Sequence, residues 1–136
     1  MKKPDYVLRS ALLMNATVAS LVAERVHPVM APGKPTLPFV VYRRVGIQRA
    51  QTLGGPMGLP RLSVEFNIYG ATYDSARQVA DAVRSCLDGY GGSLENTTVE
   101  QTSLESESDD FVSLSGAELP AVYAVTQTYD VWYQEV

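Results

Sequence analysis

The sequence predicts an α+β fold: a two-layer sandwich in which one long helix and one or two short ones pack on a mainly antiparallel four-stranded sheet. Three observations predict it. In RLSVEFNIYG, Leu62, Val64, Phe66 and Ile68 alternate with Ser63, Glu65, Asn67 and Tyr69, the period of a strand buried on one face. In TYDSARQVADAVRSCLDGY, Ala76, Val79, Ala80, Val83, Cys86 and Leu87 recur every three or four positions, the period of an amphipathic helix. The first two long strands are joined without a crossover helix, which implies an antiparallel pair. Four strands cannot hide their apolar face unaided, so the helices are expected to cover it.

The elements follow in chain order. YVLRSALLMN places Val7, Leu8, Ala11, Leu12 and Leu13 at helical spacing. Pro4 and Asp5 suit its start, because proline lacks only an N–H that has no partner there and aspartate accepts from one that does. Asn15 to Thr17 interrupt the pattern before VASLVAERV forms a second short helix. VHPVMAPGKPTLP, with four prolines and a glycine, has loop composition. FVVYRRVGI, residues 39–47, reads as the first clear strand. RAQTLGGPMGLP then makes a long hairpin connection, residues 49–60, whose tip projects from the body.

Thr72 is the expected N-cap of the long helix, with Asp74 in its first turn where the helix dipole favours negative charge. In LDGYGG, Gly89 is the expected C-cap, since a helix commonly ends in a left-handed residue. Gly91 and Gly92 let the chain turn. NTTVEQTSLES is a polar candidate strand. The acidic, serine-rich ESDDFVSLSGAELP reads as a strand continuation, a loop or a bulged arm, and residues 105–119 are taken as a flexible acidic arm. AVYAVTQTYDVWYQEV is the last strand, with packing material on both faces.

A chain of 136 residues fits one domain, residues 1–136, with a core of its own. Its composition, 46% hydrophobic and 19% charged, is that of a globular protein. A net charge of −4 argues against a main role in gripping a phosphate backbone. Arg9, Ser10, Asn15, Thr17 and Ser20 break any export core, and no run approaches a membrane span, so synthesis in the cytoplasm and no membrane partner are expected.

Little in the chain speaks for catalysis. His27 is the only histidine and has no second imidazole for a metal site or nucleophile to pair with. Cys86, the only cysteine, falls on the apolar stripe of the long helix, where a thiol packs as a small hydrophobe. Glu105, Glu107, Asp109 and Asp110 would converge on one strand face if they bound a hard cation, but no glycine-centred calcium loop accompanies them. A solvated edge explains them as well. LGGPMG lies between two strands and so lacks the helix that a phosphate loop opens. No catalytic residue, metal ligand or cofactor is expected.

The residues with more to offer are those suited to protein contacts. Arg43, Arg44, Arg49 and Arg61 lie on the first hairpin, and arginine is a good interface ligand. Tyr123, Tyr129 and Tyr133 stand beside Trp132, aromatic residues that serve cores and interfaces equally well. The hairpin tip is either mobile or a contact arm. The residues themselves describe a non-enzymatic, self-associating domain.

LRSALL, RVHPVMAPGKPTLPFVVYRRVG, TLGGPMGLPRLSVEFNIYGATYDSARQVADAVRSCLDGY and the closing YDVWY together resemble the tail-completion, or head–tail joining (tail terminator), proteins of long-tailed phages and prophages. The resemblance spans nearly the whole chain, is strongest over Arg25–Gly89 and at the last strand, and is weakest over residues 91–119. It implies a structural protein of the virion neck that assembles as a ring, commonly hexameric, on the head-proximal end of the tail tube. Such a ring ends tube growth and docks the head connector. The implied partners are further copies of the chain, the major tail tube protein and the connector, with DNA crossing the channel unread. The expected contact residues are Arg43, Arg44, Arg49, Gly54, Gly55, Met57, Leu59, Arg61, Tyr129 and Trp132, on the hairpin tip (Gln51–Leu59) and elsewhere, with further contacts from the arm (Glu105–Glu118). A minor tail or connector adaptor of the same fold, and a small-ligand or enzymatic domain of the host, are the alternatives.

Overall fold

The structure, a computed structural model, describes residues 3–28, 37–48, 51–52, 55–56, 60–94, 96–112 and 122–134. Helices α1 (Pro4–Met14) and α2 (Ala16–Val22) come first. Pro4 occupies the first helical turn of α1 and Asp5 follows it there. Asn15 ends α1 and caps α2, its side chain accepting from the Val18 N–H at 3.1 Å. The amide-bearing residue read from the sequence as an interruption is thus the hinge between two helices.

The strands are β1 (Val26–Pro28), β2 (Phe39–Gln48), β3 (Gln51–Thr52), β4 (Gly55–Pro56), β5 (Arg61–Gly70), β6 (Gly92–Leu94), β7 (Thr97–Val112) and β8 (Val122–Tyr133), with α3 (Tyr73–Leu87) between β5 and β6. The main sheet has the order β1-β2-β5-β8-β7-β6, and β3 with β4 makes a separate two-stranded ladder. Only the β1–β2 pair is parallel.

The expected four-stranded two-layer sandwich is therefore corrected. Six strands, mostly antiparallel, curl into a half-barrel that carries three helices. The two additional strands span three residues each, too short for any period to show in the sequence. The curl has a local cause. The ladder shifts register between Arg44 and Gly46 in β2, and between Val99 and Gln101 and between Leu104 and Ser106 in β7. Each extra residue increases the local twist and bends the strand. The polar strand candidate and the first part of the acidic segment are one 16-residue strand, β7, carried to Val112 by pairing with β8.

One face of this sheet meets the helices. Leu62, Val64, Phe66 and Ile68 of β5 align with Val131, Tyr129, Gln127 and Val125 of β8 and are buried with them. Val40 and Tyr42 of β2 complete that face, against Val7, Leu8 and Leu12 of α1, Val18 and Val22 of α2, and Ala76, Val79, Ala80, Val83 and Leu87 of α3. At about 25 cal/mol per Å² of apolar area removed from water, this continuous core dominates the stability. Gly70 lets α3 approach β5, because a Cβ there would lie 2.7 Å from the Ala76 nitrogen.

Candidate assembly surface

Among the described residues the opposite face of the sheet carries no helix, and several of the expected contact residues project there. Arg43, Arg61 and Trp132 share it, Arg43 opposite Glu65 and Arg61 opposite Trp132 in the register. The Arg43 Nε donates to Glu65 Oε1 at 3.2 Å while the side chain stays 54% exposed. Glu65 also accepts from Asn67 Nδ2 at 2.8 Å, and Asn67 Oδ1 accepts from the Thr126 hydroxyl at 2.8 Å. Those bonds, the Asn67 amide foremost and then Arg43, hold the Glu65 carboxyl below its usual range against the opposing effect of burial.

Further along the same face, Arg61 lies 3.7 Å from Asp130 and hydrogen-bonds Gln48, while the Ser63 hydroxyl donates to Asp130 at 3.0 Å. Glu105 reaches this group from the β7 bulge, and the nearby Asp130 charge raises its carboxyl pKa. At the other end His27 leans on Phe39 at 6.5 Å between ring centres, and Phe39 stacks on Tyr69 at 5.0 Å. The histidine is thus placed as an aromatic neighbour on a short edge strand.

Arg44 points to the helix side of β2, opposite Val64, yet is exposed where the helices no longer cover the sheet. Tyr129 departs from its expected role. It is fully buried, stands edge-on to Phe66 at 5.6 Å, and offers no surface to a partner. Burial, with the Asp88 and Glu107 charges behind it, raises its phenol pKa far above the usual value, so the hydroxyl remains a donor. Gly55 lies in the β4 ladder against Thr52. Arg49, Gly54, Met57 and Leu59 lie outside the described residues, as do residues 113–121 of the acidic arm. Gly89 takes φ +83°, one residue beyond the cap Asp88, whose N–H still bonds to Arg84. It is the left-handed stop after α3 rather than the cap itself, and its N–H turns outward to the Thr102 carbonyl at 2.7 Å.

A polar chain whose members the sequence reading did not connect across elements fixes β7 to α3. The Tyr129 hydroxyl donates to Gln127 Oε1 at 2.8 Å, and Gln127 Nε2 donates to the Ala80 carbonyl at 3.0 Å and to Glu107 Oε2 at 2.6 Å. Arg77 on α3 then bonds Glu107 and Asp109 at 3.2 Å each and Asp81 at 2.9 Å. The Tyr73 hydroxyl donates to Asp109 at 3.1 Å. A signal for it existed: Gln127 holds an inward position in the run Tyr123, Val125, Gln127, Tyr129, Val131, and a polar side chain at such a position needs partners.

The remaining chemistry is sparse. Cys86 packs against the core, donates weakly to the Ala11 carbonyl at 3.6 Å, and has its thiol pushed up by burial. An open groove of about 540 Å³ between α2 and α3 is lined by Asn15, Thr17, Leu21, Gln78, Asp81, Ala82 and Ser85. Among the described residues no group of three His, Cys, Asp or Glu side chains is placed to hold a metal ion, and no helix is long and apolar enough to cross a membrane.

Comparison with known proteins agrees with an assembly role. The family described as "Tail completion protein gp17" matches residues 7–134. No curated protein matches the chain. Among solved structures, a chain of one described as "Virion of native gene transfer agent (GTA) particle" superposes with a TM-score of 0.75 at 15% identity, over 93% of this chain and 91% of that one. At that identity the likeness is one of fold.

Proposed function

The chain belongs to the tail completion protein gp17 family, structural and non-enzymatic virion proteins of the phage tail, and from that premise we propose that it closes the head-proximal end of the tail tube as a ring. In this reading the ring, commonly of six subunits, ends tube growth and presents the docking surface for the head connector. The tail tube protein, the connector and further copies of the chain are its partners, and DNA crosses its channel without being read.

The observation that carries the reading is the family match over 128 of 136 residues, from 7 to 134. The geometry supports it in two ways. A closed ring reuses one heterologous contact and leaves two different faces, one for the tube and one for the connector. The sheet offers a broad face without helices, edged with arginine and aromatic side chains, on which such contacts can form. A net charge of −4 also suits a wall along which DNA must slide.

The test is the size and symmetry of the purified protein, by light scattering and negative-stain imaging, alone and with purified tail tubes. Rings on one end of each tube, which then accept connectors, are the expected outcome. Protein that decorates tube walls, or binds connectors without capping tubes, contradicts the reading and favours an adaptor.

A further inference from the structure

The main sheet ends in two short strands, and each leaves most of its longer neighbour without a strand on that side. β1 pairs with Val40, Val41 and Tyr42 only, so among the described residues nothing pairs with 43–48 of β2 on their outer edge. β6 pairs with Thr97, Thr98 and Val99 only. The segment after α3 covers the next stretch of β7, through Gly89 N–H to the Thr102 carbonyl and Asp88 Oδ1 to the Leu104 N–H. From 105 to 112 no described strand lies alongside β7, although β8 keeps it regular on the other side. Exposure agrees: 105–110 and 43–46 are exposed. Glu107 is exposed as a residue while its side chain is only 23% exposed, so the accessible part is its backbone.

The two open edges carry opposite charge. On the open part of β2 the charged residues are Arg43 and Arg44; on the open part of β7 they are Glu105, Glu107, Asp109 and Asp110. Like edges facing each other would set charges of one sign across the ladder, which is destabilising, whereas unlike edges attract. Resting on the ring reading above, we propose that the 43–48 edge of one subunit adds to the 105–112 edge of the next, so that a single sheet runs around the ring.

Three geometric facts favour this pairing. β2, β5, β8 and β7 are successively antiparallel, so β2 and β7 run in opposite directions and a rotation about the ring axis brings them together as an antiparallel pair. The faces match as well. Arg44 shares the helix side with Glu107 and Asp109, and Arg43 shares the other side with Asp110. Finally, Arg44 stands level with Val64, Tyr129 and Leu104. Matching the two open stretches therefore needs a stagger of about five or six residues, roughly 18 Å, against a repeat of four strands (β2, β5, β8 and β7), roughly 19 Å wide, because β1 and β6 fall in line with the strands of the neighbouring subunit. That stagger tilts the strands by about 43°, within the range of closed barrels. The Arg77 clamp on Glu107 and Asp109 holds the receiving edge in place before a partner arrives, which lowers the ordering cost of joining.

Charge reversal tests the contact. Arg43→Glu with Arg44→Glu makes both edges acidic, and Glu105→Lys with Asp110→Lys puts lysine in place of the two acids of the second edge that lie outside the Arg77 clamp on Glu107 and Asp109. Each doubly substituted protein alone should lose ring formation while keeping the far-UV dichroism of the unaltered protein. An equimolar mixture should regain rings, because each edge then meets its opposite. Folded variants that each form rings overturn the edge pairing and leave the ring itself standing. Unaltered protein that forms no ring, alone or on tail tubes, overturns both. Hydrogen exchange on unaltered protein supplies a readout free of mutations: amides in 43–48 and 105–112 should slow on the order of tenfold or more on ring formation. Unchanged exchange there in assembled rings also overturns the pairing.

Discussion

Buried Thr102 shows how much one hydroxyl can cost. Its side-chain oxygen has no hydrogen-bond partner among the described residues. An unsatisfied buried hydroxyl costs about 1–3 kcal/mol, so the near-isosteric Thr102→Val should stabilise the subunit by roughly 0.5–1 kcal/mol and raise Tm by a few degrees. Calorimetry measures this, and a lower Tm would show that the hydroxyl is satisfied. Glu105 bears on pH. Asp130 raises its folded-state pKa above the ordinary carboxyl value. The group therefore binds protons more readily when folded, so its repulsion is absent below pH 4.5 and develops as pH rises through the folded pKa. Glu105→Gln should accordingly raise Tm at pH 7 and leave it unchanged at pH 4, as read by thermal melts of the dilute subunit. At this scale the sequence was legible where one residue acts through its own backbone. Gly89 was read as the C-cap for its left-handed backbone, and it takes that backbone one position past the cap Asp88. Tyr129 was not placed, because an aromatic residue on a two-sided strand looks the same whether it faces core or partner.

Among the elements, α3 was legible almost to its ends. Thr72 caps it as the sequence predicts, its hydroxyl accepting from the Ser75 N–H at 3.1 Å. Its attachment to β7 was not legible, since Arg77 and Glu107 are thirty residues apart and the bulge at 104–106 decides which acids face the helix. A strict alternation would place Glu105, Glu107 and Asp109 together; the extra residue sends Glu105 to Asp130 and leaves Glu107 and Asp109 to Arg77. Replacing Arg77 by Met keeps the apolar stem but leaves three carboxylates facing one another. That substitution should cost about 1–2 kcal/mol at pH 7, discounted for partial exposure, and less at pH 4, where the acids begin to protonate. Urea denaturation at the two pH values checks both statements, and equal losses at both would point to packing instead.

For the molecule as a whole, the ring reading places contacts on the 49–60 hairpin as well as on the sheet. Its ladder of β3 and β4 forms apart from the main sheet. Deleting residues 51–59 should therefore leave a folded subunit with Tm within a few degrees of the intact protein. The same deletion should abolish rings; intact rings by light scattering, together with normal head–tail joining, would remove the tip from the interface. The sequence by itself determined which segments became α3, β2, β5 and β8, because periods of 3.6 and 2 are properties of consecutive side chains. Through its overall pattern it also determined the family. Only the tertiary structure decided the number of strands, the curl into a half-barrel and the pair of oppositely charged edges. Those depend on pairings between distant segments and on single-residue bulges, whose energies are set by neighbours that no local pattern records.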